Sequence, residues 1–145
     1  MRSGARLTEV VARGDWGTVE AVILESGSSP ALEFLTNGLT DVREGSKDEE
    51  DKSAAARFAV LFQQVANYGS VSPKRFKKEM AGFHAFKHEV KNRQIRFPCF
   101  QDGKRWILTH GFFKPGAKNR KLGEWPDSEV QKAKTYRDEY YSRKR

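Results

Sequence analysis

The chain has 145 residues, enough for one domain with a core of its own and no need of disulfide staples. Only 37% of residues are hydrophobic, but ten Phe, three Trp and four Tyr can fill a core with few side chains, which argues against general disorder. The net charge of +8 favours polyanions and is unevenly spread: residues 1–70 hold seven Lys and Arg against eleven Asp and Glu, residues 71–145 twenty against eight.

Residues 1–14 are weakly patterned. Leu7, Val10 and Val11 suit either one helical turn or a loose arm. From Trp16 to Glu25 the run is β-branched, with Val19, Ala21 and Ile23 on one face of a strand and Val22 and Leu24 on the other. Apolar residues on both faces predict a strand covered on two sides. Ser29-Pro30 reads as a helix start, and Leu32, Leu35 and Leu39 continue at helical spacing to a stop at Asn37-Gly38. Residues 41–53 are acidic and read as a solvated loop whose carboxylates complement the next helix N-terminus. Phe58, Leu61, Phe62 and Val65 then mark the clearest helix, ending near Asn67-Tyr68-Gly69. After the basic stretch Lys74–Lys78, three strands are expected over about 83–90, 94–101 and 104–112, the last two joined by an Asp102-Gly103 turn. Pro98 inside a strand implies an edge or a bulge. A Gly, Lys and Pro loop spans 113–125, and a final helix starts near Pro126, with Asp127 and Glu129 in its first turn and Val130, Ala133 and Tyr140 at helical spacing. The order is β-α-α-β-β-β-α, an α+β domain over residues 1–145 with one core.

Several chemistries are excluded. There is no Gly-x-Gly-x-x-Gly, no phosphate-binding Walker loop and no Gly-x-Ser-x-Gly elbow. Lone Cys99 and scattered His84, His88 and His110 lack zinc spacing, so no metal or cofactor is expected. The lone cysteine suits a cytoplasmic protein. No apolar run approaches the roughly 20 residues of a membrane span, so no membrane partner is expected. The chain start has no apolar segment typical of a signal peptide. What remains is a basic neighbourhood of Lys87, Arg96, His110, Lys114, Lys118 and Arg120, interleaved with Phe83, Phe97, Trp106, Phe112 and Phe113. Basic residues track phosphates and aromatics stack on unpaired bases, so this half is expected to bind RNA. Alternation alone leaves the core face of these strands open, because each face carries apolar residues.

Residues 82–140 resemble the HigB/RelE-type toxins, including those described as phage-derived Gp49-like. The resemblance rests on Gly82-Phe83-His84-Ala85-Phe86-Lys87, Ile95-Arg96-Phe97, Asp102-Gly103, Leu108-Thr109-His110-Gly111-Phe112-Phe113-Lys114, Pro126, Glu129-Val130, Ala133 and Asp138-Glu139-Tyr140, in that order. With the upstream strand-helix-helix order it extends over most of 16–142. Two positions depart from the family pattern: Ala85-Phe86-Lys87 stands where Glu-Leu-Arg is usual, and Pro115 replaces a second loop lysine. Lysine cannot form the bidentate phosphate clamp of arginine.

The resemblance implies a fold with a small, mostly antiparallel sheet, an N-terminal helix pair and a C-terminal helix. It also implies the toxin of a type II toxin–antitoxin pair. Such a toxin cleaves mRNA in the ribosomal A site by attack of a ribose 2′-hydroxyl on the adjacent phosphate, without metal. Its expected partners are mRNA, the ribosome, and an antitoxin that is itself a DNA-binding helix-turn-helix protein. In this scheme Arg96 stabilises the transition-state charge. Lys87 and Lys114 assist, a lysine crowded by other cations being also a candidate base. His110 serves as base or acid, and Tyr136 or Tyr140 orients a base or bonds the leaving group. Arg93, Lys118, Arg120, Lys121 and Arg137 are candidate RNA contacts. Two alternatives stay open: a ParE-like toxin directed at gyrase, and a non-catalytic RNA- or DNA-binding module.

Overall fold

The computed structural model describes residues 6–39, 43–44, 52–90, 93–114 and 125–144. Residues 8–13, expected as a helical turn or an arm, instead form strand β1 (Thr8–Arg13), which pairs antiparallel with β2 (Thr18–Val22) and carries an irregularity between Val10 and Ala12. Every residue of β2 is buried, as two-sided coverage required. The Ser29 hydroxyl donates to the Val22 carbonyl (2.8 Å) rather than capping a helix. Helix α1 (Pro30–Glu33) is therefore only a turn, with Pro at its start, and passes into a π turn over Phe34–Gly38. The acidic stretch lies mostly outside the described residues. Its ends form a short ladder of β3 (Arg43–Glu44) and β4 (Lys52–Ser53).

Helix α2 (Ala54–Tyr68) is set by its ends. The Ser53 hydroxyl accepts the Ala56 N–H (3.1 Å), and Gly69 closes it at φ 88°, its N–H returning to the Val65 carbonyl. The basic stretch after it is exposed at Lys74, Arg75, Lys77 and Lys78, and its second half enters β5 (Phe76–Met80), which pairs with β6 (Phe83–Val90) across the two-residue turn Ala81-Gly82. β5 lies at the sheet edge, where lysines discourage pairing with other chains.

β7 (Arg93–Gln101) is central. β6 lies on one side of it, and on the other β8 (Arg105–Leu108) and β9 (Phe112–Lys114) lie end to end. The single strand expected over 104–112 is thus broken at Thr109–Gly111. Pro98 sits opposite that break, where the register slips by one residue between Cys99↔Leu108 and Arg96↔Phe112, the bulge-like irregularity its presence in a strand implied. Its carbonyl accepts the Thr109 N–H (2.9 Å), so its own nitrogen faces the same gap, where no ladder bond is demanded. The main sheet has seven strands, ordered β1-β2-β8-β7-β6-β5 with β9 beside β7, and only the β2–β8 pairing is parallel. Gly17 stands at that pairing, where a Cβ would lie 2.0 Å from the Lys104 carbonyl oxygen.

Helix α3 (Asp127–Lys144) crosses the face opposite α2. Its acidic first turn and basic last turn complement the helix dipole. Both sheet faces are apolar because helices cover both. Toward α1 and α2 lie Val19, Ala21, Phe86, Ile95, Phe97, Cys99, Trp106 and Leu108 with Phe58 and Phe62. Toward α3 lie Val22, Phe83, Ala85, Phe100, Ile107 and Phe112 with Trp125, Ala133 and Tyr140. The single core expected is two, one on each face. The α+β class, mostly antiparallel sheet and C-terminal helix stand as expected. No helix among the described residues is long and apolar enough to cross a membrane.

Candidate nucleic-acid interface

Strand register brings three of the expected residues together. Lys87 of β6 stands directly opposite Arg96 of β7, Phe112 of β9 stands opposite Arg96 on its other side, and Lys114 stands opposite Gln94, one pleat along. Alternation puts Lys87, Arg96 and Lys114 on the face shared with α3. Arg96 is 8% exposed and Lys114 7%, so these cations have given up most of their water. Arg96 Nη1 donates to the Ile95 carbonyl (3.0 Å), while its buried Nε has no partner among the described residues. Burial disfavours the Arg96 charge, and Glu79 and Glu89 act against that. Arginine nonetheless remains a cation in proteins.

Glu79, which sequence reasoning passed over inside a basic stretch, joins the cluster. Its side chain is 7% exposed, and its Oε2 lies 3.3 Å from Lys87 Nζ. That contact is an ion pair without hydrogen-bond geometry, since the same buried oxygen accepts no hydrogen bond. The available signal was Phe76-x-Lys78-x-Met80 followed by a Gly-containing turn, which marks 76–80 as the first arm of a hairpin. Register and the Glu79–Lys87 contact thus place a carboxylate, two amines and a guanidinium on one face of the sheet, the residue types that phosphate binding and proton transfer draw on.

The other expected residues are placed differently. His110 is buried on the same sheet face, but its ring is committed. Nε2 meets Glu129 Oε1 (3.0 Å), Nδ1 meets the Thr109 hydroxyl (3.0 Å), and Phe112 stacks on it. Burial holds its pKa below the ordinary histidine value, although Glu129 pulls the other way. A neutral ring fixed between two partners is a structural link from sheet to α3. Tyr136 packs edge-on against it (5.8 Å between centroids).

Tyr140 does not join the cations. Its hydroxyl donates to Asp102 Oδ2 (2.6 Å) at the β7–β8 turn, the other end of the sheet, and burial together with Asp102 holds its pKa well above that of a free phenol. Arg137 also lies at that end, donating to the Ala81 carbonyl (3.2 Å) with its guanidinium over the Phe83 ring. Arg93 is turned to the opposite face, its guanidinium 4.0 Å from the Phe113 ring centroid. Lys118, Arg120 and Lys121 lie outside the described residues. His84 and His88 both point toward the α2 side, where His84 packs on Phe76 and Trp106 and His88 on Phe58. Among the described residues no group of three or more His, Cys, Asp or Glu is placed to hold a metal ion. Comparison with known proteins returned no match to any family model, curated protein or solved structure.

Proposed function

We propose that this protein is an RNA endonuclease, a toxin of the HigB/RelE kind that acts on translated mRNA through the α3-facing end of its sheet. The observation that carries the reading is the grouping of Glu79, Lys87, Arg96 and Lys114, with Arg96 nearly buried and its Nε unpartnered. A buried arginine whose Nε makes no hydrogen bond costs stability, and a protein interior keeps such a group where function requires it.

In this reading the Glu79 carboxylate takes the proton of a ribose 2′-hydroxyl. The 2′-oxygen bonds to the adjacent phosphorus, and the bond from phosphorus to the 5′-oxygen breaks. The products are a 2′,3′-cyclic phosphate and a 5′-hydroxyl, the latter protonated by Lys114. Arg96 and Lys87 hold the charge on the equatorial oxygens as the pentacoordinate state forms. This chemistry belongs to the residues present and replaces the expected roles of His110 and Tyr140. The reading draws on the resemblance in sequence and on a mostly antiparallel sheet followed by a C-terminal helix. The ribosome and a DNA-binding antitoxin are then its expected partners.

A non-catalytic RNA-binding module is the second reading, favoured by one observation: the Lys87–Glu79 ion pair already neutralises part of the site. Induced expression with mapping of mRNA 5′ ends separates the readings. Codon-phased cuts that vanish in Arg96→Gln support the nuclease. Absence of cuts with the wild-type chain supports the binding module, and growth arrest with intact mRNA and damaged DNA points instead to gyrase.

A further inference from the structure

At the opposite end of the sheet, away from Arg96, the β5–β6 hairpin, the facing ends of β7 and β8, and α3 line an open cleft of about 460 Å³. Its walls come from both faces. His84 and Trp106 reach it from the α2 side, Arg137 and Tyr141 from the α3 side, and Lys78 and Gln101 stand at its rim. Gly82 opens the mouth: a Cβ there would meet only Arg137 Nη1, at 3.6 Å. No carboxylate lines it.

Three observations give this cleft a chemistry. Its two cations come from separate elements, and Lys78 has no ion pair among the described residues. Its aromatic surface includes Tyr141, one of the few large apolar side chains left 40% exposed. The carbonyl of Ala81, in the β5–β6 turn beside it, accepts from Arg137 and fixes that guanidinium at the cleft mouth.

We propose that this cleft binds one unpaired nucleotide, its base stacked on Tyr141 and the His84 edge and its phosphate held by Arg137 and Lys78. His84 meets the base neutral near pH 7, because burial and then Lys78 lower its pKa. Aromatic stacking with flanking cations is how proteins hold single-stranded nucleic acid without reading a sequence. The site does not require the nuclease assignment; if that assignment holds, this cleft grips the strand at a distance from the scissile bond.

The test titrates the full chain with 5′-AMP and, separately, with a 2′-O-methylated hexaribonucleotide that cannot be cleaved, following backbone amide shifts by NMR. The expected result is saturable shifts at Lys78, Gly82, Gln101 and Tyr141. Tyr141→Ala and Arg137→Gln each weaken binding of 5′-AMP about fivefold or more, with the amide spectrum otherwise intact, whereas Val60→Ala, on the exposed face of α2, leaves it unchanged. Saturation by AMP marks a mononucleotide site; saturation by the oligonucleotide alone marks a strand site. Shifts confined to the Arg96 face, or equal affinity in Tyr141→Ala, would overturn the proposal whatever the fate of the nuclease reading.

Discussion

Phe97 is the residue on which the α2-facing core turns. It is fully buried, and its ring meets Phe58 at 4.8 Å between centroids and Phe34 and Phe62 at 5.6 Å each, all edge-on. It stands between Arg96 and Pro98 on the central strand, so the same backbone that presents the cation on one face is fixed by this ring on the other. Phe-to-Ala truncations in cores cost about 3–5 kcal/mol. Phe97→Ala belongs at the upper end, about 4–5 kcal/mol, because β6 and β8 hold the β7 backbone and hinder collapse of the cavity. At ~2–4 °C per kcal/mol for a chain near this size, Tm falls by roughly 10–20 °C. Urea unfolding followed by far-UV circular dichroism should show a lower midpoint with an unchanged slope. A double-mutant cycle with Phe58→Leu should return a coupling of about 0.5–1.5 kcal/mol. A loss below about 2 kcal/mol for Phe97→Ala would mean that the ring is not enclosed between sheet and helix.

Three further outcomes follow from particular contacts. Gly17→Ala drives a Cβ toward the Lys104 carbonyl oxygen at 2.0 Å and should weaken the parallel β2–β8 pairing by about 3 kcal/mol or more, seen as faster amide exchange at Thr18–Val22. His110 titrates near 6.5 when unfolded and lower when folded, so the unfolded chain binds the proton more readily between those values. Its contribution to stability is full above about pH 6.5 and is lost as pH falls toward the folded value, with a slope of up to about 1.4 kcal/mol per pH unit; His84 shifts the same way. Urea midpoints measured from pH 7.5 to 4.5 should decline less in His110→Gln. Ala81→Asn places the favoured Asn-Gly pair in a turn whose two residues both have positive φ, and should raise stability by about 0.5–1 kcal/mol in the same unfolding assay.

The elements visible in the sequence were those whose pattern had one physical cause. β2 and β6 to β8 are β-branched or aromatic because both faces are covered, and α2 shows a clean apolar stripe between a Ser cap and a Gly stop. β1 escaped because an irregular register between Val10 and Ala12 breaks its alternation. β5 escaped because the lysines suited to a sheet edge leave it without an apolar strand pattern. The break at Thr109–Gly111 escaped because Pro98, which accommodates it, sits on a different strand. For the site, the basic neighbourhood was legible, but the pairing of Lys87 with Arg96 depends on register, which composition does not carry. Glu79 lay hidden among lysines, and Tyr140, placed by helical spacing alone, points to the far end of the sheet.

In the proposed reaction Glu79, Lys87 and Arg96 act together on one phosphodiester. The most direct measurement is in vitro cleavage of an mRNA held in the A site of purified ribosomes, comparing the wild-type chain with Glu79→Gln and Arg96→Gln. New ends should carry 2′,3′-cyclic phosphates, and each variant should cut roughly 10²–10³-fold more slowly while still binding the RNA. Wild-type protein that binds without cutting, or a Glu79→Gln variant that cuts at the wild-type rate, would contradict it.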